Sequence, residues 1–166
     1  ERLLYHLSGG NGEEIKSLMQ QLDTEKRYEV SDAIKAGLAE FYGGCASIEE
    51  TNEAVAKLYK EDGYLMDTHT AVAYKVYEDY KAATGDNTPT VIASTASPYK
   101  FAKSVLSAVS SKKGNDEFDT VKVLSEETKT EIPSPIKALE NADVRFKEIC
   151  EKEDMLESVY KALNIK

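Results

Sequence analysis

At 166 residues the chain is long enough for one domain with its own core, and 41% hydrophobic with 31% charged residues is the balance of an ordinary soluble globular protein. A formal net charge of -9 and a pI near 4.8 repel phosphate backbones and anionic lipid, and no Lys/Arg cluster interrupts that field, so nucleic acid is not an expected partner. No apolar run approaches the roughly 20 residues that span a bilayer and no charged-then-apolar leader opens the chain, so no membrane is expected and the expected address is cytoplasmic.

The opening "ERLLYHL" has no methionine and starts inside an amphipathic helical pattern of Leu3, Leu4 and Leu7, which suggests a piece of a longer protein holding only part of any site. "SGGNG" (Ser8 to Gly12) supplies the positive φ that stops this helix. A phosphate-cradling reading of those glycines needs a strand before them, and a helix precedes them instead. Glu13 to Leu22 sets Ile15, Leu18, Met19 and Leu22 at helical spacing, and Ile34, Leu38 and Phe41 mark a short helix, all assigned to the core. "FYGGCAS" (Phe41 to Ser47) reads as a bend or short strand. Ser47 with Glu50 then signals a capping box for a helix that turns Val55 and Leu58 inward and ends at Gly63.

"DTHTAVAYKVYEDY" (Asp67 to Tyr80) begins at an Asp67 or Thr68 N-cap and puts Val72, Val76 and Tyr80 on one stripe. After the loop "TGDNTP", the stretch "TVIASTASPYKF" (Thr90 to Phe101) predicts a short buried strand at Val91 and Ile92 and three closely spaced hydroxyls at Ser94, Thr95 and Ser97. Pro98 then begins a helix striped with Phe101, Val105, Leu106 and Val109. "SSKKGNDE" is a polar, solvated connection, and the segment to Thr130 (Phe118, Val121, Leu124) is weakly helical. "EIPSPIKAL" begins a helix with Ser134 ahead of Pro135, and a last helix is expected from about Val144 to Leu163. The fold class is α/β and predominantly helical, with one clear strand flanked by helices. A lone strand cannot satisfy its own backbone groups, so its partner must lie in a weak segment or in another part of a parent protein.

Ligands of open α/β sheets sit beyond the carboxyl ends of strands, where helix N-termini present free N–H groups, and the Ala93 to Tyr99 turn has that character. Its hydroxyls are neutral donors and acceptors; Ser94 and Ser97 also suit capping, and Thr95 suits a satisfied turn hydroxyl. His69 lies in the first turn of its helix, where the dipole disfavours imidazolium and favours a neutral ring. Lys100 and Lys103 follow the turn as solvated charges or as anion contacts. Glu13, Glu14, Glu49, Glu50 and Glu53 fall in first turns or on exposed faces, with no paired-carboxylate site. Cys45 and Cys150 lack CxxC spacing and read as buried or idle thiols, and no metal site is expected.

Read in order, "YKEDGYLMDTHTAVAYKVYEDY", "TVIASTASPYKFAKSVLSAV" and "EIPSPIKALENADVRFKEI" resemble the last third of threonine synthase, a family of fold type II pyridoxal-phosphate enzymes. The match covers about residues 58 to 150, and "ERLLYHLSGG" is similar to a helix that follows a Ser-Asn in these enzymes. The resemblance implies that about residues 1–110 belong to the cofactor-binding large domain and about 111–166 to a C-terminal helical extension. It implies pyridoxal 5'-phosphate as cofactor, O-phospho-L-homoserine as substrate, L-threonine and phosphate as products, and the rest of the parent chain as partner.

Residue by residue, the resemblance makes Thr95 the hydroxyl that meets the cofactor's pyridine nitrogen, with Ser94 shaping the cofactor edge. A neutral hydroxyl leaves that nitrogen largely unprotonated, which a carboxylate would not. His69, Ser97 and Lys100 are the candidates for the substrate pocket. Thr68 stands where relatives often have proline, and Ser97 where they often have histidine. The family's covalent lysine lies in a Phe-Lys-Asp segment, and a glycine-rich loop holds the cofactor phosphate; neither motif occurs here, and Phe-Lys in "RFKEI" falls within a charged helical pattern. No catalytic residue is therefore expected in this chain, which should be inert by itself. The alternatives are a threonine-synthase-like phospho-lyase that forms a keto acid, and a non-catalytic helical interaction module whose hydroxyl turn is only a cap.

Overall fold

The computed structural model describes residues 1–145 and 147–165. The α-helices among them are α1 (Arg2–Leu7), α2 (Gly12–Glu25), α3 (Asp32–Gly37), α4 (Ile48–Asp62), α5 (Thr68–Thr84), α6 (Ala102–Val109), α7 (Glu117–Thr128), α8 (Ser134–Leu139) and α9 (Met155–Ala162), with 3-10 turns at Leu38–Glu40, Pro98–Phe101 and Lys152–Asp154. Local chemistry sets many of the boundaries. Asn11 Oδ1 accepts from the Glu14 amide at 3.2 Å to start α2, and Asp116 Oδ1 accepts from the Asp119 amide at 2.8 Å to start α7. At α4 the capping box is complete: the Glu50 amide donates to Ser47 Oγ at 3.1 Å, and the Ser47 amide donates to Glu50 Oε2 at 2.8 Å. Gly63 ends α4 in the left-handed conformation (φ +68°), which a glycine adopts without Cβ strain.

Two apolar clusters form. Leu4, Ile15, Leu18 and Ile34 join α1, α2 and α3. The larger cluster is built on the fully buried Val55, Met66, Val105, Leu106 and Leu124, with α6 wedged between α4 and α7 while α4 also packs on α5. Tyrosine hydroxyls reinforce the second cluster: Tyr59 donates to the Thr128 carbonyl at 3.2 Å, and Tyr99 donates to the Thr130 carbonyl at 2.9 Å. These bonds tie the end of α7 to α4 and to the turn ahead of α6. At Gly114 a Cβ would stand 2.3 Å from the Thr120 amide nitrogen, so the α6–α7 loop lies against the first turn of α7 only because the residue is glycine.

Several sequence expectations are corrected here. There is no strand among the described residues: Thr88 to Ala96 runs without regular structure, and Val91, expected to be buried, is 95% exposed. The physical reason is that no second strand lies beside it to complete a ladder, so β-branched composition alone cannot fix a strand there. The class within the described residues is helical, not α/β. The last helix is also shorter than expected, beginning at Met155 behind a 3-10 turn, and the expectation for Phe146 lies outside the described residues. Phe41 is 53% exposed because α3 gives way to the 3-10 turn before reaching it. Cys45 and Cys150 are free and exposed.

Leu124 is the most direct probe of the larger cluster, since it is fully buried at the α6–α7 contact. Leu124→Ala should lower stability by about 2–5 kcal/mol, read as a reduced denaturation midpoint with an unchanged denaturant slope.

Candidate functional site

The N-terminus of α5 and the hydroxyl turn meet through one buried carboxylate. Asp67, fully buried, caps α5: its Oδ1 accepts from the His69 amide at 2.9 Å and from the Thr70 amide at 3.4 Å, and its Oδ2 accepts a hydrogen bond from the Thr70 hydroxyl. Thr70 Oγ1 in turn lies 3.0 Å from Ser94 Oγ. A threonine hydroxyl has one hydrogen, and the carboxylate takes it, so Ser94 is the donor in this second bond. The chain Asp67–Thr70–Ser94 thereby holds the start of the turn on the first turn of α5, across 24 residues of sequence.

His69 extends the same junction on its exposed side. Its ring stacks obliquely on Phe101, with centroids 4.8 Å apart and planes at 51°, and its Nδ1 lies 3.4 Å from Asp67 Oδ1. Ser97 caps the 3-10 turn by accepting from the Tyr99 amide at 3.3 Å. The loop that leads in is shaped by Asp86, whose Oδ1 accepts from the Thr88 amide at 2.8 Å and whose Oδ2 accepts from Tyr80 at 2.8 Å. Thr88 above all, by its hydroxyl and then its amide, with Tyr80 adding to it, holds the Asp86 carboxyl below the usual range.

The three hydroxyls therefore differ. Ser94 and Ser97 are engaged by the fold, whereas Thr95 is exposed and makes no hydrogen bond among the described residues. Asp67, His69, Thr70, Ser94 and Phe101 are brought together at one junction. Lys100 is exposed and lines a cleft between α6 and α7. Among the described residues no three His, Cys, Asp or Glu side chains converge as a metal site would require. Asp67 was legible only as a cap; its i, i+3 relation to Thr70 is a signal that could have exposed that bond, but no local pattern marks the contact with Ser94.

The family profile "Threonine synthase, C-terminal" matches residues 70–160. Threonine synthase of Pseudomonas aeruginosa is 30% identical over 106 residues, covering 63% of this chain and 22% of that protein. Threonine synthase-like 1 of Homo sapiens is 29% identical over 117 residues, covering 70% of this chain and 15% of that protein. The chain thus spans about a fifth or less of the length of these relatives. A crystal structure of PLP-bound threonine synthase from Brucella melitensis shares the fold with a TM-score of 0.54 at 23% identity, covering 78% of this chain and 32% of that one.

Burial pushes the Asp67 carboxyl upward, but the bonds from the Thr70 hydroxyl and the His69 and Thr70 amides, with His69 adding to them, hold it below its usual value. The folded state then binds fewer protons here than the unfolded chain. The stabilisation is complete above the unfolded value of about 4 and is lost as pH falls through the lower folded value. Acid titration of unfolding free energy should show this limb in the native chain and a flatter one in Asp67→Asn, which should also be about 1–3 kcal/mol less stable at pH 7.

Proposed function

The chain belongs to the threonine synthase C-terminal family, and from that premise we propose that it is the C-terminal part of a pyridoxal-phosphate-dependent threonine synthase. The parent protein would convert O-phospho-L-homoserine and water to L-threonine and phosphate. About residues 1–110 would complete the large domain, and about 111–166 would form its helical extension. The remainder of the parent chain would pack on this part, the exposed Val91 included, and would bring the covalent lysine and the phosphate loop.

The single observation behind this reading is the contrast at the turn. Ser94 is held by Thr70 and Ser97 by the Tyr99 amide, while Thr95 is exposed with no internal hydrogen-bond partner among the described residues. A cap would use its hydroxyl; Thr95 leaves its own available for a ligand. These residues fit the pyridine edge of the cofactor: one neutral hydroxyl as donor, set in a turn that a buried carboxylate anchors. When bound, pyridoxal phosphate supplies an electron sink for the loss of phosphate from the γ-carbon and the addition of water at the β-carbon.

The protein's share is orientation. With the cofactor bound, Thr95 would donate to the ring nitrogen and would leave it largely unprotonated. Ser94, fixed through Thr70 to Asp67, sets the height of the turn against α5. His69 and Ser97 would border the substrate pocket, with His69 oriented by Phe101 and by the Asp67 carboxylate, and Lys100, which lines the α6–α7 cleft, would reach it from that side. The similarity to a threonine synthase-like protein over 70% of the chain supports a sister reading, phosphate release with a keto acid as product.

The test uses the full-length protein that carries this chain. It should release phosphate from O-phospho-L-homoserine and form threonine, while residues 1–166 by themselves should give no turnover. Thr95→Ala should cut kcat by about twofold to tenfold, the equivalent of one neutral hydrogen bond, and Thr95→Ser should recover most of it. Absence of phosphate release would sink the proposal, a keto acid in place of threonine would favour the sister reading, and an unaffected Thr95→Ala enzyme would return Thr95 to a structural role.

A further inference from the structure

A second feature of the chain is a cleft of about 1120 Å³ between α6, the α6–α7 loop, the start of α7 and α8, which Tyr99, Lys100 and Phe101 of the preceding turn also line. That exceeds the about 300–1,000 Å³ of ordinary small-molecule sites and suits a segment of polypeptide. Leu106 and Val121 at its base are already buried in the core, and the apolar surface it leaves to water belongs to the half-buried Phe118 and Ile136 and the 58% exposed Leu139. The rim is cationic in a chain of net charge -9: Lys103 and Lys113 are exposed and make no ion pair among the described residues, and Lys112 is held by Glu127 at 2.7 Å. Glu117 also lines the cleft, and Asp116 is committed to capping α7.

The same chain carries a segment of opposite character. Along α9 and its C-cap, Met155, Val159 and Leu163 recur every fourth residue beside Leu156 and Tyr160, and all five are 45–63% exposed. Such a stripe normally marks the buried face of a helix. Glu151, Glu153, Asp154 and Glu157 crowd its N-terminal end. α9 lines no part of the cleft in the structure. Residues 140–154 tether it to Leu139, itself on the cleft wall, and that length reaches on the order of 50 Å when extended.

We propose that the cleft between α6 and α7 is a docking groove for the chain's own α9, which folds back so that its apolar stripe covers Phe118, Ile136 and Leu139 while its acidic end meets Lys103 and Lys113. Charge complementarity sets the direction in which the helix lies. The short tether makes the intramolecular encounter prevail over one between copies, because a linker of this length keeps the local concentration of α9 in the millimolar range. Docking buries both the stripe and the groove, two apolar surfaces that would otherwise face water in one polypeptide.

The proposal is tested in the full-length protein by peptide-resolved hydrogen exchange and by carbodiimide coupling, which joins a lysine to a carboxylate only when the two are in contact. Exchange across residues 155–162 should be at least about tenfold slower than in the double variant Lys103→Glu, Lys113→Glu, and Glu153→Lys with Asp154→Lys should restore the protection in that background. Coupling should join Lys103 or Lys113 to Glu153, Asp154 or Glu157 within monomers. Both lysines are exposed, so the variants reverse charge without disturbing the core. Equal exchange in the native protein and the double variant would overturn the proposal. So would coupling found only between copies, or only to residues outside 1–166.

Discussion

Burying a carboxylate is tolerable only when both of its oxygens are hydrogen-bonded, and Asp67 is the place where this chain meets that condition. Its partners are two amides at the start of α5 and the Thr70 hydroxyl, and through Thr70 the requirement passes to Ser94. The junction between α5 and the hydroxyl turn follows from satisfying one charge. His69 rests on that junction from the exposed side through Phe101, so the geometry of the candidate site is a consequence of the cap.

The turn also has to be held from the other direction, and α6 does this. Tyr99 is buried and bonded to the Thr130 carbonyl, while Val105 and Leu106 lock the helix between α4 and α7. The hydroxyls at Ser94, Thr95 and Ser97 therefore stand between two anchored elements, α5 before them and the Pro98–Phe101 turn after them. An exposed hydroxyl between fixed ends is pre-positioned, which is what a ligand-orienting group needs. The Thr88 to Ala96 run has no such support on its outer side, and the 95% exposure of Val91 marks surface that the described residues leave uncovered.

What was legible in the sequence was local. Ser47 with Glu50, Asp67 ahead of α5, Gly63 after α4 and Pro98 ahead of α6 are short-range signals whose partners lie within four residues, and each lies where its chemistry directs. The missed features are long-range or cooperative. Nothing near Thr70 announces Ser94, and nothing near Tyr59 or Tyr99 announces the carbonyls of Thr128 and Thr130. The strand expectation failed because a strand is a property of a pair, and β-branched residues at Val91 and Ile92 supply only one member. The last helix is shorter than its sequence pattern predicts because charged residues are compatible with a helix without requiring one.

The role proposed for Thr95 is that of a neutral donor to the cofactor's ring nitrogen, and that nitrogen can be observed directly. The full-length protein loaded with cofactor labelled with ¹⁵N at the ring position should give a chemical shift typical of an unprotonated, hydrogen-bonded pyridine, moving toward the free-base value in Thr95→Val. A protonated nitrogen in the native protein, or a shift that Thr95→Val leaves unchanged, would contradict the account.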